Sequence, residues 1–298
     1  MSRAEQGLVD EVDWVDAARA EWEESTSALR KVVSAFRRRS SEDGVLVLRG
    51  FPIGVAGLPE TPGAEGSVQR YATPAAVSLV LVACGLGDPG SFQAEKSGSL
   101  VQDVVPVRGR EKFQGNLGSV KLTFHNENAF HACRPDYIEL LCLRADHDRV
   151  AGLRTACIRA ALPLLPSDIR EVLFEAEFST EAPPSFAVDM EKPVVHAILS
   201  GDRSDPDVQV DFAATSAMTA RAEDALHVLD ETLEEVSRTT MLLPGDMAIV
   251  DNRVAVHGRT AFRPRYDGMD RWLQRCYSFS DIRRSRDWRP GDGYVLAR

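Results

Sequence analysis

The chain has 298 residues, 44% of them hydrophobic and 27% charged, which suits a globular protein long enough to bury about 75% of its unfolded surface. Acidic residues outnumber basic ones by 45 to 35, and the formal charge of −10, with no extended Lys/Arg tract against it, argues against a nucleic-acid binder. No apolar stretch reaches the roughly 18 residues of a membrane span, no hydrophobic leader follows Met1, and five scattered cysteines without a CxxC pair read as buried thiols of a reducing cytoplasm. In chain order, Trp14, Ala18, Trp22, Leu29, Val33 and Phe36 recur at approximately helical spacing and predict an amphipathic, helical opening. Asp43-Gly44 turns the chain into Val45–Leu48, a short apolar run that suits a buried strand. Residues 53–72, rich in Gly, Pro and Glu, read as a loop. Thr73-Pro74 then opens a core helix that Gly85 and Gly87 are expected to stop.

From residue 99 the pattern turns to strands. Leu100–Val105, Val120–His125 and Tyr137–Leu143 read as three of them, the last being the strongest in the chain. Ser167-Asp168 predicts a helix cap, and Ala225, Leu226, Leu229, Leu233 and Val236 line one face of a helix over 220–236. Pro244-Gly245-Asp246 is a turn before the strand 247–250, and a last strand is expected around 272–279. Helices first, then many strands with helices inserted, predict an α+β fold with a mainly antiparallel sheet.

The chemistry concentrates in two stretches. His125-Asn126-Glu127 closes a strand-like run, and residues i and i+2 of a strand share a face, so both side chains can reach one metal ion. His257, in a polar break after the 247–250 strand, is the best candidate for a third ligand, and two histidines with a carboxylate are the donor set of non-haem Fe(II) oxygenases. Arg271 and Arg275, four apart on an expected strand, can point into one cavity. A guanidinium there suits a carboxylate, such as the distal one of a keto acid.

The segments Leu122–His131 and Leu243–Thr260, continuing to Arg275, resemble the clavaminate synthase-like (TauD-related) Fe(II)/2-oxoglutarate-dependent dioxygenases, and most of all their amino-acid hydroxylases acting on asparagine or arginine. The resemblance runs from about residue 100 to 276. It implies a single dioxygenase domain over 1–298 with a distorted double-stranded β-helix (jelly roll) core. Residues 1–98 would supply N-terminal helices and a first core strand, and 99–298 the jelly roll with a helical insertion at about 151–238. It also implies Fe(II), 2-oxoglutarate and O2 as reactants. His125, Glu127 and His257 would be the iron ligands, and Arg271 with Thr155 would hold the cosubstrate. Arg275 and Gln102 would bind a substrate α-carboxylate, Glu127 would lie near its α-amino group, and Asp211 would face its side chain. Gln209 stands where an arginine-specific relative has a second acid, which weakens the case for a guanidinium substrate. The expected reaction is hydroxylation at C3 or C4 of a polar or basic L-amino acid in natural-product biosynthesis. A carboxylate at Glu127 disfavours halogenation, because family halogenases keep a small residue there to admit chloride.

Plainer roles compete at each position. His131 reads as a packing residue, His147 as solvated, His196 as a satisfied interior residue and His227 as exposed on its helix. Asp205 and Asp207 around Pro206 read as turn formers. Gln102 could serve the sheet backbone, and Arg275 could pair with Asp267 or Asp270. The same chemistry on a peptide or carrier-bound intermediate, or desaturation or cyclisation, remains open. So do two other classes, a zinc hydrolase and a non-catalytic binding protein. A hydrolase leaves the Arg271/Arg275 pair without a role, and a dead scaffold would be expected to have lost a ligand.

Overall fold

The computed structural model describes residues 7–186, 194–289, 291 and 293–297. The amphipathic opening forms two helices, α1 (Val12–Glu24) and α2 (Ser27–Arg39). The break falls at Ser25-Thr26 because the Thr26 hydroxyl accepts from the Leu29 N–H and starts a new helix. Strand β1 (Val45–Leu48) is half-buried along its length, and α3 (Pro74–Leu86) follows under a Thr73 cap. Gly85 lies inside α3 and does not end it. A Cβ there would sit 2.4 Å from the Trp22 ring, so the glycine lets α1 approach.

Next come β2 (Asp88–Phe92), β3 (Gln102–Val104), β4 (Leu122–His125), β5 (Tyr137–Arg144) and β6 (Leu153–Cys157). A short α4 (Ile158–Ala161) leads to α5 (Ser167–Leu173), whose N-cap is Pro166 and not the expected Ser167. After it run β7 (Phe178–Thr180), β8 (Val195–His196), β9 (Leu199–Asp202), β10 (Asp205–Val208), β11 (Thr215–Ala217), α6 (Ala220–Glu235) and β12 (Arg238–Thr240). Strands β13 (Met247–Asp251), β14 (Ala255–Arg259), β15 (Trp272–Phe279) and β16 (Val295–Leu296) complete the chain. The stretch 151–238 is therefore not simply a helical insertion. It contains β6, a three-stranded sheet (β11-β7-β8) and the β9–β10 hairpin. Asp205 and Asp207 lie on a strand of that hairpin, with its turn before them, and Asp205 pairs with Arg159.

Two sheets position the site. The larger runs β1-β13-β5-β15-β2-β16, with β3 also paired to β15, and the smaller runs β12-β6-β14-β4. Alternation sorts the large sheet cleanly between two cores. Tyr137, Leu141, Met247, Ile249, Trp272 and Cys276 face α1, α2 and α3. Ile138, Leu140, Ala248, Val250, Leu273 and Tyr277 point the other way, into a core shared with Leu153 and Ala255 of the small sheet. A third core joins the small sheet to α5 and α6. Arg275, between Leu273 and Tyr277, thus faces the space between the two sheets. The five cysteines are buried and free. Among the described residues, no helix is long and apolar enough to cross a membrane.

Candidate active site

His125 ends β4 and lies in register with His257 on β14, their ring centroids 4.3 Å apart. Glu127 comes to the same point, and one ligand atom from each residue lies within 4.8 Å of the others. The sequence placed Glu127 on the strand with His125. The structure instead puts it in the turn beyond β4, and two asparagines hold it there. The Glu127 N–H donates to the Asn252 side chain at 2.8 Å, and Asn252 donates to the carbonyls of Glu127 and Pro135. Asn126 donates to the Asn252 and Ala255 carbonyls and accepts from the Val210 N–H. His257 is likewise not in a break but in the middle of a buried strand, with Thr155 of β6 opposite it.

The electrostatics suit a cation. His125 Nδ1 lies 3.0 Å from the Thr123 carbonyl, an acceptor only, so the proton sits on Nδ1 and Nε2 presents its lone pair. Burial, and then the neighbouring His125, push His257 down to about 4, so its imidazole is neutral. Burial opposes the Glu127 charge, but Arg275 outweighs it and holds the carboxyl well below its usual range. Two imidazoles with free nitrogen lone pairs and one carboxylate fit Fe(II).

Arg275 is 2% exposed and densely held. It donates to Glu127 at 2.9 Å, to Gln102 at 2.5 Å and to Glu95, while the Asn116 amide oxygen faces the same guanidinium and Tyr277 lies beneath it. It does not pair with Asp267 or Asp270. Glu95 and Asn116 carried no sequence signal, since an isolated Glu after a strand reads as solvated. The Glu95 side chain is nevertheless only 17% exposed, and desolvation, with Glu127 adding, pushes its carboxyl up against the pull of Arg275. Gln102 also donates weakly to the Ser99 carbonyl, so its backbone role coexists with the contact to Arg275.

Arg271 immediately precedes β15 at 6% exposure and, among the described residues, makes no ion pair. Burial lowers its proton affinity. Asp146, which acts on it electrostatically, has its two oxygens engaged by the Val150 and Ala151 N–H groups. A buried guanidinium without an acid fits an incoming carboxylate. The Asp211 backbone pairs with that of His125 in an isolated antiparallel β-bridge. One Asp211 carboxylate oxygen accepts from the Ala213 N–H. Gln209 donates to the Ala129 carbonyl at 2.6 Å, which engages its amide nitrogen elsewhere.

The other histidines divide. His131 accepts from the Cys133 N–H among aromatic rings, His196 bonds Thr180 and the Ala197 carbonyl, and His227 is exposed. His147 is not solvated: it is clamped at 3.0 Å to Asp267 and lies near Asp270, which itself holds the Arg265 and Tyr266 N–H groups.

Residues 11–277 match the family model described as taurine catabolism dioxygenase TauD, TfdA family. The chain is 56% identical over 290 residues to L-asparagine oxygenase of Streptomyces coelicolor, covering 97% of this chain and 87% of that protein. It is 34% identical to clavaminate synthase 2 of Streptomyces clavuligerus, over 85% of this chain and 79% of that one. The solved structure of asparagine oxygenase in complex with Fe(II), 2S,3S-3-hydroxyasparagine and succinate superposes with a TM-score of 0.95 at 55% identity, covering 98% of this chain and 92% of that chain. The non-heme iron oxygenase OrfP in complex with Fe and alpha-ketoglutaric acid gives 0.88 at 28% identity, covering 98% and 92%.

Proposed function

The chain belongs to the TauD/TfdA dioxygenase family and is an Fe(II)- and 2-oxoglutarate-dependent amino-acid hydroxylase, and we propose that it takes free L-asparagine and hydroxylates it at C3. The observation that carries this reading is the Glu95–Arg275–Glu127 array beside the metal cluster, alternating charges that match an amino acid's zwitterion. In this reading His125, Glu127 and His257 hold the iron. Iron with 2-oxoglutarate and O2 supplies the power to oxidise an unactivated C–H bond. The protein's part is binding, orientation and exclusion of water.

Arg271 takes the distal carboxylate of 2-oxoglutarate as a charge-assisted pair, and the buried Thr155, across from His257, lines the same space. Arg275 and Gln102 receive the substrate α-carboxylate. Glu95, with Glu127 beside it, receives the α-ammonium, which gives Glu95 the partner that its burial demands. The remaining carboxylate oxygen of Asp211 accepts from the side-chain end of the substrate. An ionised Asp only accepts, so a carboxamide NH2 satisfies it and an aspartate carboxylate repels it. With Gln209 tied to Ala129, one acid remains for the side chain, which favours a carboxamide over a guanidinium. Asparagine has a single methylene, which turns the choice of carbon into C3. The two facing sheets support a distorted double-stranded β-helix core in one domain, and the five free thiols support a cytoplasmic location.

Succinate release measured across free amino acids tests this directly, with asparagine expected to stimulate most. Stimulation by carrier-bound asparagine alone would refute the free-substrate reading. Asp211→Ala should lower kcat/KM for asparagine by about 10- to 100-fold, the worth of a hydrogen bond to a charged group. An unchanged value would confine Asp211 to its bond with Ala213.

A further inference from the structure

A second guanidinium shares the space assigned to the cosubstrate. Arg259 lies two residues after His257 on β14, so the two side chains leave the strand on the same side. Opposite it stands Leu153, whose side chain belongs to the core between the two sheets. Arg259 is 4% exposed and spends one N–H on the Val120 carbonyl at 3.1 Å. Its Nε is buried with no partner, and among the described residues it makes no ion pair. Arg271 is likewise buried and, among the described residues, makes no ion pair. The two guanidinium carbons lie 5.3 and 5.9 Å from the centre of one ring, Phe262, which places both cations around a single aromatic side chain.

One buried cation without an anion is costly, and two around one ring repel each other as well. Tethering the Val120 carbonyl needs neither the full charge of an arginine nor a position beside Arg271, since a neutral amide would serve. We propose that Arg259 is a second cosubstrate-binding residue, which with Arg271 forms a doubly cationic well for the distal carboxylate of a 2-oxo diacid. The proposal rests on the reading of Arg271 given above and adds to it the selection of a dicarboxylate over a 2-oxo acid with an apolar end. A hydrocarbon terminus entering the well would leave two guanidiniums buried without an anion, whereas a carboxylate answers both.

The test is anaerobic titration of the Fe(II)-loaded protein, reading the visible charge-transfer band that a chelating 2-oxo acid produces. Two ligands are compared: 2-oxoglutarate, and 2-oxopentanoate, which has the same chain ending in a methyl group. Arg259→Gln should raise the Kd for 2-oxoglutarate at least tenfold and move that for 2-oxopentanoate by less than twofold. Arg259→Lys, which keeps the charge and is the more conservative fold, should stay within threefold of the parent for both ligands. Equal weakening of both ligands in Arg259→Gln, or no weakening of either, overturns the proposal. So does tenfold weakening of 2-oxoglutarate in Arg259→Lys, which would mean that shape and not charge is at stake. Arg271→Gln separates the two readings. If it leaves the Kd for 2-oxoglutarate unchanged, the assignment of Arg271 is wrong; if it weakens binding while Arg259→Gln does not, only the second cation is wrong.

Discussion

His125 is prepared for a metal by its own strand, because the Thr123 carbonyl two residues earlier fixes the tautomer that turns a lone pair outward. His257 reaches the same state by burial. Its nitrogen need not shed a proton at neutral pH to bind iron. His125→Ala or His257→Ala should therefore abolish Fe(II)-dependent succinate release while far-UV circular dichroism stays unchanged, and full activity in either variant would remove that residue from the ligand set. Glu95 makes a different prediction, because it neutralises Arg275 without joining the metal cluster. Glu95→Gln should raise KM for the amino acid by about tenfold or more while leaving the affinity for 2-oxoglutarate within twofold, a split that general destabilisation would not produce. The metal residues were legible in the sequence because ligand chemistry demands particular residue types at a short spacing. Glu95 was not, because its meaning lies in a contact with Arg275, 180 positions away. Asn126 and Asn252 were missed for the same reason: an asparagine between two metal residues looks like filler until its amide is seen joining two loops.

The elements read from the sequence were those whose pattern is local. Strands β5, β13 and β15 alternate strictly between two cores, and helix α6 has one apolar face. Strand β14 escaped because its inward positions are polar, His257 and Arg259, as expected where a strand carries a site. Gly85 shows how tertiary packing overrides a local rule. A glycine inside a helix costs about 1 kcal/mol relative to alanine, so propensity alone says that Gly85→Ala stabilises α3. Its Cβ, however, would enter the Trp22 ring, and overpacking costs about 1–3 kcal/mol. Gly85→Ala should therefore lower the urea midpoint. In a Trp22→Leu background, which empties that space, the same substitution should be neutral or stabilising. A loss of equal size in both backgrounds would show that the α1–α3 contact is not what excludes a side chain at this position.

The molecule as a whole carries a formal charge of −10, and one of its acids sits inside the large sheet. Glu139 of β5 is fully buried, accepts from the Ser278 hydroxyl at 2.7 Å and has its second oxygen unpartnered. Burial pushes its carboxyl up to about 8 from 4.5, against the smaller opposing effect of Ser278. The folded protein thus keeps a neutral acid that the unfolded chain would ionise. Its contribution to stability is complete below about pH 4.5 and falls as pH rises toward 8, by about 1.4 kcal/mol per pH unit at the steepest, then levels off. Glu139→Gln keeps the shape and an acceptor for Ser278 but removes the titration. Urea unfolding of both proteins from pH 5 to pH 9 should give similar midpoints at the acid end and a variant that is more stable at the alkaline end. Parallel curves across the range would mean that Glu139 ionises in the folded protein as it does in the unfolded chain, and that the centre of the sheet is more polar than its packing implies.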